Sequence, residues 1–266
     1  VFGMDRAITK VKSRDVDAIQ SILGAQVLLA EDNKINQQVA TELLEANGLL
    51  VSVANNGIEA VKLVEENKFE IVLMDIQMPE MDGFTATSKI RDMPGGDKLP
   101  ILAMTAHAME GDRQKSLNAG MDDHVTKPID PDKLFDALVK WIPAKNRGVV
   151  VQKKTTAEIN SDSILPDTLP GIDLTIGLKH LSGNKQLLKK LLREFYKDYF
   201  DIISELRVSI KKDPQSAQRT AHTLKGVAGS IGATSLQSNA LSLELAIKDE
   251  KTDKFENLLN NLESSL

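Results

Sequence analysis

From residue 25 onward the chain alternates short apolar runs with longer stretches of helical spacing. The runs at 27–30, 49–54, 70–74, 101–104 and 124–126 are apolar and strand-like. Segments 35–46, 57–66, 83–91 and 131–142 carry apolar residues at helical spacing, which gives a helix one buried face, and 110–119 also reads as helical. Breakers fall in the gaps between them, at Asn47-Gly48, Asn56-Gly57, Pro94-Gly95-Gly96 and Pro143. Five apolar strands alternating with five helices predict a doubly wound α/β domain over 25–143, with a parallel sheet covered on both faces.

Beyond Gly171 every long apolar pattern is helical. Leu187, Leu188, Leu191, Leu192, Phe195 and Tyr199 begin it, Ala217, Ala221, Leu224, Ala228 and Ile231 continue it, and Phe255, Leu258, Leu259 and Leu262 end it. The pattern predicts an all-α, up-and-down bundle of roughly four helices over 172–266. Residues 1–24, polar and weakly patterned, are expected to be an N-terminal linker. Residues 144–171, with several basic residues and two prolines, are expected to join the two domains.

Composition narrows the function classes. With 266 residues, 41% hydrophobic, 27% charged and a net charge of −5, the chain has the size of about two domains and a mildly acidic surface. Nucleic acid is therefore not an expected partner. No apolar run approaches the ~18 to 20 residues that span a bilayer, so no membrane contact is expected and the chain should be soluble and intracellular. The absence of cysteine excludes disulfides and thiol catalysis. A start at Val1 rather than Met has the look of an excised piece.

Ligands of open α/β sheets bind beyond the strands' carboxyl ends. There the sequence offers Glu31 and Asp32 after the first strand, Asp75 after the third, Thr105 after the fourth and Lys127 after the fifth. Three carboxylates brought together repel unless a cation neutralises them, and all-oxygen ligands favour Mg2+. Asp75 would then attack phosphorus to give an acyl phosphate, with Lys127 and the Thr105 hydroxyl on the transferring oxygens. Taken singly, each is an ordinary cap or loop residue. Aspartyl-nucleophile phosphatases share this chemistry but need a second aspartate two residues beyond the nucleophile, where this chain has Gln77.

In the second domain the candidate nucleophile is His222, in AHTLKGVAGSIGA. Against the stripe Ala217, Ala221, Leu224, Ala228 and Ile231 it should point away from the core, exposed, beside Lys225, Gly226 and Gly229. Each helical glycine costs ~1 kcal/mol relative to alanine. Clearing a face for a flat partner is one reason for the pair, and close helix packing is the other. Lys225 could hold phosphoryl oxygens. His107 could line the first site, and His180 reads as a helix-end surface residue.

LLAEDNKIN, VLMDIQMPEMDGF, ILAMTAHAM and DDHVTKPID together resemble the receiver domains of two-component signalling over about residues 25–143. The resemblance implies a flavodoxin-like sheet of order 2-1-3-4-5, Asp75 as phosphoacceptor, and Mg2+ held by Glu31, Asp32, Asp75 and the Gln77 carbonyl. It also implies a cis Lys127-Pro128 bond and a switch pair of Thr105 with His124, where an aromatic is frequent in the family. HTLKGVAGSIGA resembles histidine-containing phosphotransfer (HPt) domains over about 172–266. A receiver followed by such a bundle is similar to the C-terminal part of a bacterial hybrid sensor histidine kinase, itself membrane-anchored and cytoplasmic in this portion.

The chain has no phosphate-cradling Gly-rich loop with a lysine, so the ATP-binding domain is expected elsewhere. The implied function is a phosphorelay from an upstream kinase histidine to Asp75, to His222, and on to a downstream response regulator. Alternatives are a receiver that gates the kinase core, or one that acts as a phosphate sink. A flexible linker of about 27 residues reaches roughly 25 to 30 Å, which permits transfer within one molecule at near-mM effective concentration.

Overall fold

The computed structural model describes residues 18–105, 110–145 and 165–266. Strands β1 (Gln26–Ala30), β2 (Leu50–Ala54), β3 (Ile71–Asp75), β4 (Ile101–Thr105) and β5 (Asp123–Thr126) form one parallel sheet in the order β2-β1-β3-β4-β5. Helices α1 (Lys34–Ala46), α2 (Gly57–Glu66), α3 (Gly83–Arg91), α4 (Glu110–Asn118) and α5 (Pro131–Trp141) connect and follow the strands. Sequence and structure agree on all ten elements to within a residue or two.

Alternation along the strands sorts the core into two layers. Val27, Leu29, Ile71, Leu73, Leu102 and Met104 face one way, with Leu43 and Leu44 of α1 and Leu134 and Leu138 of α5. Leu28, Ala30, Val72, Met74, Ile101 and Ala103 face the other, with Ala60 of α2 and Ala86 and Ile90 of α3. Ile22, within the segment read as linker, is fully buried in the first layer.

The helical part comprises α6 (Leu174–His180), α7 (Lys185–Tyr199), α8 (Ile202–Lys212), α9 (Pro214–Ser230), α10 (Thr234–Lys248) and α11 (Phe255–Ser265). The bundle is a ring of four: α8 packs on α9, α9 on α10, α10 on α11 and α11 on α8. Helices α6 and α7 lead into that ring. Both α7 and α9 also pack against α1 of the sheet domain, and the first core layer runs without a break into Leu188, Leu191, Leu224, Ala228 and Leu243. The two domains thus meet over α1, the helix that starts beside the acidic strand end.

Local chemistry fixes where the helices begin. The Asn33 side chain caps α1, accepting from the backbone N–H of Ile35 and Asn36 at 3.0 and 3.1 Å. Asp213 caps α9, followed by Pro214 in the first turn, where its missing N–H costs nothing. No described helix is long and apolar enough to cross a membrane.

Candidate functional site

The strand order reverses between β1 and β3, and Glu31, Asp32 and Asp75 follow or end those two strands. One carboxylate oxygen from each lies within 4.8 Å of the others, a group able to hold a metal ion. Lys127, just after β5, donates to Glu31 Oε2 at 2.5 Å and to Asp75 Oδ2 at 2.6 Å, and all three side chains are buried. Its bond to Pro128 is cis, as the family resemblance implies. Burial, then Glu31's charge, lifts the Asp32 pKa to about 6. Burial raises the Asp75 carboxyl too, against the pull of Lys127. Such repulsion is what a divalent cation would relieve.

Asp75 Oδ1 accepts from the Gln77 N–H at 3.3 Å. A Cβ on Gly83, the first residue of α3, would overlap the Asp75 carbonyl oxygen, so glycine lets this helix start against the candidate nucleophile. Thr105 ends β4, its carbonyl accepting from the Lys127 N–H at 2.7 Å. His124 pairs in register with Ala103, two residues from Thr105, so His124 and Thr105 share one sheet face. His107 lies outside the described residues.

His222 departs from expectation. It is 9% exposed rather than facing solvent, and Lys225 is 4% exposed. The helical wheel weighs α9 against its own bundle alone, whereas α10 and the sheet domain's α1 both cover it. From α10 comes Glu244, which the sequence reading missed: Oε1 lies 2.7 Å from His222 Nδ1, and Oε2 accepts from Lys225 Nζ at 2.5 Å. These bonds hold the Glu244 pKa down at about 2, so it is an anion and can only accept. Nδ1 must therefore carry the proton, which leaves the Nε2 lone pair free. The 3.5 Å approach of Lys225 to Nδ1 is too long and faces a nitrogen already donating. Burial first, then the Lys225 and Lys127 charges, keeps the imidazole pKa below its ordinary value despite Glu244. The ring is neutral and nucleophilic at neutral pH.

A signal for Glu244 did exist. Leu236, Ala240, Leu243 and Ile247 form the buried stripe of α10, and Glu244 sits within it as an acid. His180, expected at the surface, is also buried, with Nδ1 3.1 Å from the Gly229 carbonyl oxygen.

The two halves close on one cavity of about 230 Å³. The sheet domain lines it with Asp32, Gln77, Met78 and Pro79, the bundle with Tyr199, Arg219, Thr220 and His222 among others. Polar contacts cross the junction. Asn33 Nδ2 donates to the Tyr199 hydroxyl at 2.8 Å, Ser230 Oγ donates to Asn36 Oδ1 at 3.4 Å, and Lys179 pairs with Asp130 at 2.8 Å. Asn36 in turn donates to Glu31 Oε1 at 3.0 Å, linking the acidic cluster to α9. The face cleared by Gly226 and Gly229 meets this partner: a Cβ on Gly226 would touch Asn36, and one on Gly229 would press on Pro128 and Gln237.

Residues 27–139 match the response regulator receiver domain family, and residues 190–266 match the Hpt domain family. The sensor protein GacS of Pseudomonas syringae pv. syringae is 31% identical over 257 residues, 95% of this chain and 28% of its own length. The signal transduction histidine-protein kinase BarA of Escherichia coli K12 is 28% identical over 234 residues, 86% of this chain and 24% of its own. This chain thus spans about a quarter of the length of those relatives. A solved receiver domain of a sensor histidine kinase from Pseudomonas aeruginosa PAO1, with magnesium coordinated in its active-site cleft, is 40% identical at a TM-score of 0.43 and covers 44% of this chain and 97% of that one. The chain therefore consists of a receiver domain of the response regulator family joined to an Hpt domain, homologous to the C-terminal regions of the hybrid histidine kinases BarA and GacS.

Proposed function

We propose that this chain relays a phosphoryl group from a kinase histidine to Asp75, from Asp75 to His222, and from His222 to the receiver of a downstream response regulator. The observation that carries the reading is the shared cavity, lined from the receiver by Asp32 and Gln77, which neighbour Asp75, and from the bundle by His222. In the first step an Asp75 oxygen attacks phosphorus and the P–N bond to the donor histidine breaks. Lys127, already paired with Asp75 and Glu31, balances the buried negative charge. Thr105 offers a hydroxyl to a phosphoryl oxygen. Mg2+, held by Glu31, Asp32, Asp75 and the Gln77 carbonyl when bound, supplies further positive charge for those oxygens.

In the second step the Nε2 lone pair of His222 attacks phosphorus, and the electron pair of the broken P–O bond returns to the Asp75 carboxylate. The Nδ1 proton stays on its hydrogen bond to Glu244, whose charge balances the phosphorylated ring. Lys225 keeps Glu244 ionised and in position. His124 beside Thr105 serves as the switch partner that responds when Asp75 is modified.

The test supplies a matched kinase core with labelled ATP and Mg2+ to the wild-type chain, Asp75→Asn and His222→Gln. Acid-labile, alkali-stable label on the wild type that vanishes in Asp75→Asn is the expected result. Label on His222 that survives Asp75→Asn would sink the relay and favour a receiver that gates the kinase instead.

A further inference from the structure

Once a phosphoryl group sits on Asp75, the receiver side of the cavity carries an excess of negative charge. Asp32 lines the cavity, and Glu31 and Asp75 beside it complete a cluster of three carboxylates, two of which engage Lys127. Lys225, the cation three residues after His222, has its ammonium spent on Glu244. Phosphorylation turns the Asp75 carboxylate into an acyl phosphate of roughly two negative charges, so with Glu31 and Asp32 the cluster carries about four, one more than Lys127 and a bound Mg2+ together supply. Arg219 lines the same cavity three residues before His222, on the same helix face one turn toward the N-terminus. Among the described residues it forms no ion pair or side-chain hydrogen bond. It is also exposed, so its guanidinium can turn without first breaking a contact.

Resting on the relay reading above, we propose that Arg219 is a catalytic residue for transfer between Asp75 and His222, its guanidinium taking two phosphoryl oxygens in the transition state. In that state the P–O bond to Asp75 and the P–N bond to Nε2 are both partial, and charge spreads over three equatorial oxygens. A planar guanidinium offers paired N–H donors to two of them, which a lysine cannot match. The bond that forms is P–N, the bond that breaks is P–O, and no co-reactant is needed. At roughly 30 Å³ per water, the cavity of about 230 Å³ has room for the phosphoryl group, the fork and a few waters. Lys127 and a bound Mg2+ leave about one negative charge unanswered on the receiver side, and among the residues lining the cavity Arg219 is the bundle's permanent cation.

The test loads Asp75 of the full chain with a small acyl phosphate donor and Mg2+, then follows label onto His222 in wild type, Arg219→Ala and Arg219→Lys. A transition-state role lowers the Arg219→Ala transfer rate about 10- to 100-fold, with Arg219→Lys between the two. Forward and reverse transfer fall by the same factor, so the equilibrium ratio of the two phosphorylated forms is unchanged. Loading of Asp75 and the thermal midpoint stay at wild-type values, which separates chemistry from folding. An Arg219→Ala rate within twofold of wild type, or a parallel loss of Asp75 loading, overturns the assignment. Failure of the wild type itself to label His222 would instead reject the relay.

Discussion

Replacing Glu244 with alanine removes the acceptor that fixes the His222 tautomer and strips Lys225 of its counter-ion. Both partners are buried, with side chains 11% and 5% exposed. A hydrogen bond to a charged group contributes about 1.5–3 kcal/mol, so transfer from Asp75 to His222 should slow about 10- to 150-fold. Leaving one member of a buried pair orphaned costs up to about 3–5 kcal/mol of stability. The double variant Glu244→Ala/Lys225→Met removes the orphaned charge and should recover most of that stability while leaving transfer slow. Quench-flow transfer on the Asp75-loaded chain reads the rate, denaturant unfolding reads the stability, and nitrogen NMR of His222 reads the tautomer. A Glu244→Ala chain that transfers at the wild-type rate with Nδ1 still protonated would refute the reasoning.

Two further predictions come from the same geometry. Gly83→Ala drives a methyl into the Asp75 carbonyl and should cost about 1–3 kcal/mol, slowing Asp75 loading as well, measured by unfolding and by labelling. The His222 pKa is held below its ordinary value, so the native chain favours the neutral ring. Its contribution to stability is full above pH ~6.5 and is lost as pH falls through the lower native value. Transfer to His222 should therefore stay level from neutral pH down to ~6.5 and decline below it. Unfolding of wild type against His222→Gln should narrow in difference over the same acid range, and a transfer rate that rises on acidification would contradict the neutral nucleophile.

How much was legible in the chain follows from what each residue depends on. Glu31, Asp32, Asp75, Thr105 and Lys127 could be picked out because each ends or follows an apolar strand, and parallel strands deliver their carboxyl ends to one edge. His222 stood out through the resemblance of HTLKGVAGSIGA to HPt domains, whereas helical spacing alone read it as an exposed surface residue. Its burial did not, nor did that of Lys225 and His180, because neighbours distant in sequence cover them. The contacts of Asn33 with Tyr199 and of Asn36 with Ser230 span 166 and 194 residues, and no local pattern encodes them. Glu244 left a trace, an acid inside an apolar stripe, but its partners sit on a different helix.

The most direct measurement of the central claim loads Asp75 with a small acyl phosphate donor and follows acid-labile, alkali-stable phosphate on His222 over about a hundredfold range of chain concentration. With His222 lining the cavity that Asp32 and Gln77, neighbours of Asp75, line from the receiver side of the same chain, the transfer rate constant should be first-order and independent of concentration, and absent in Asp75→Asn. A rate that climbs in proportion to concentration would contradict transfer within the molecule. Phosphorylated Asp75 that decays to free phosphate without labelling His222 would contradict the relay itself.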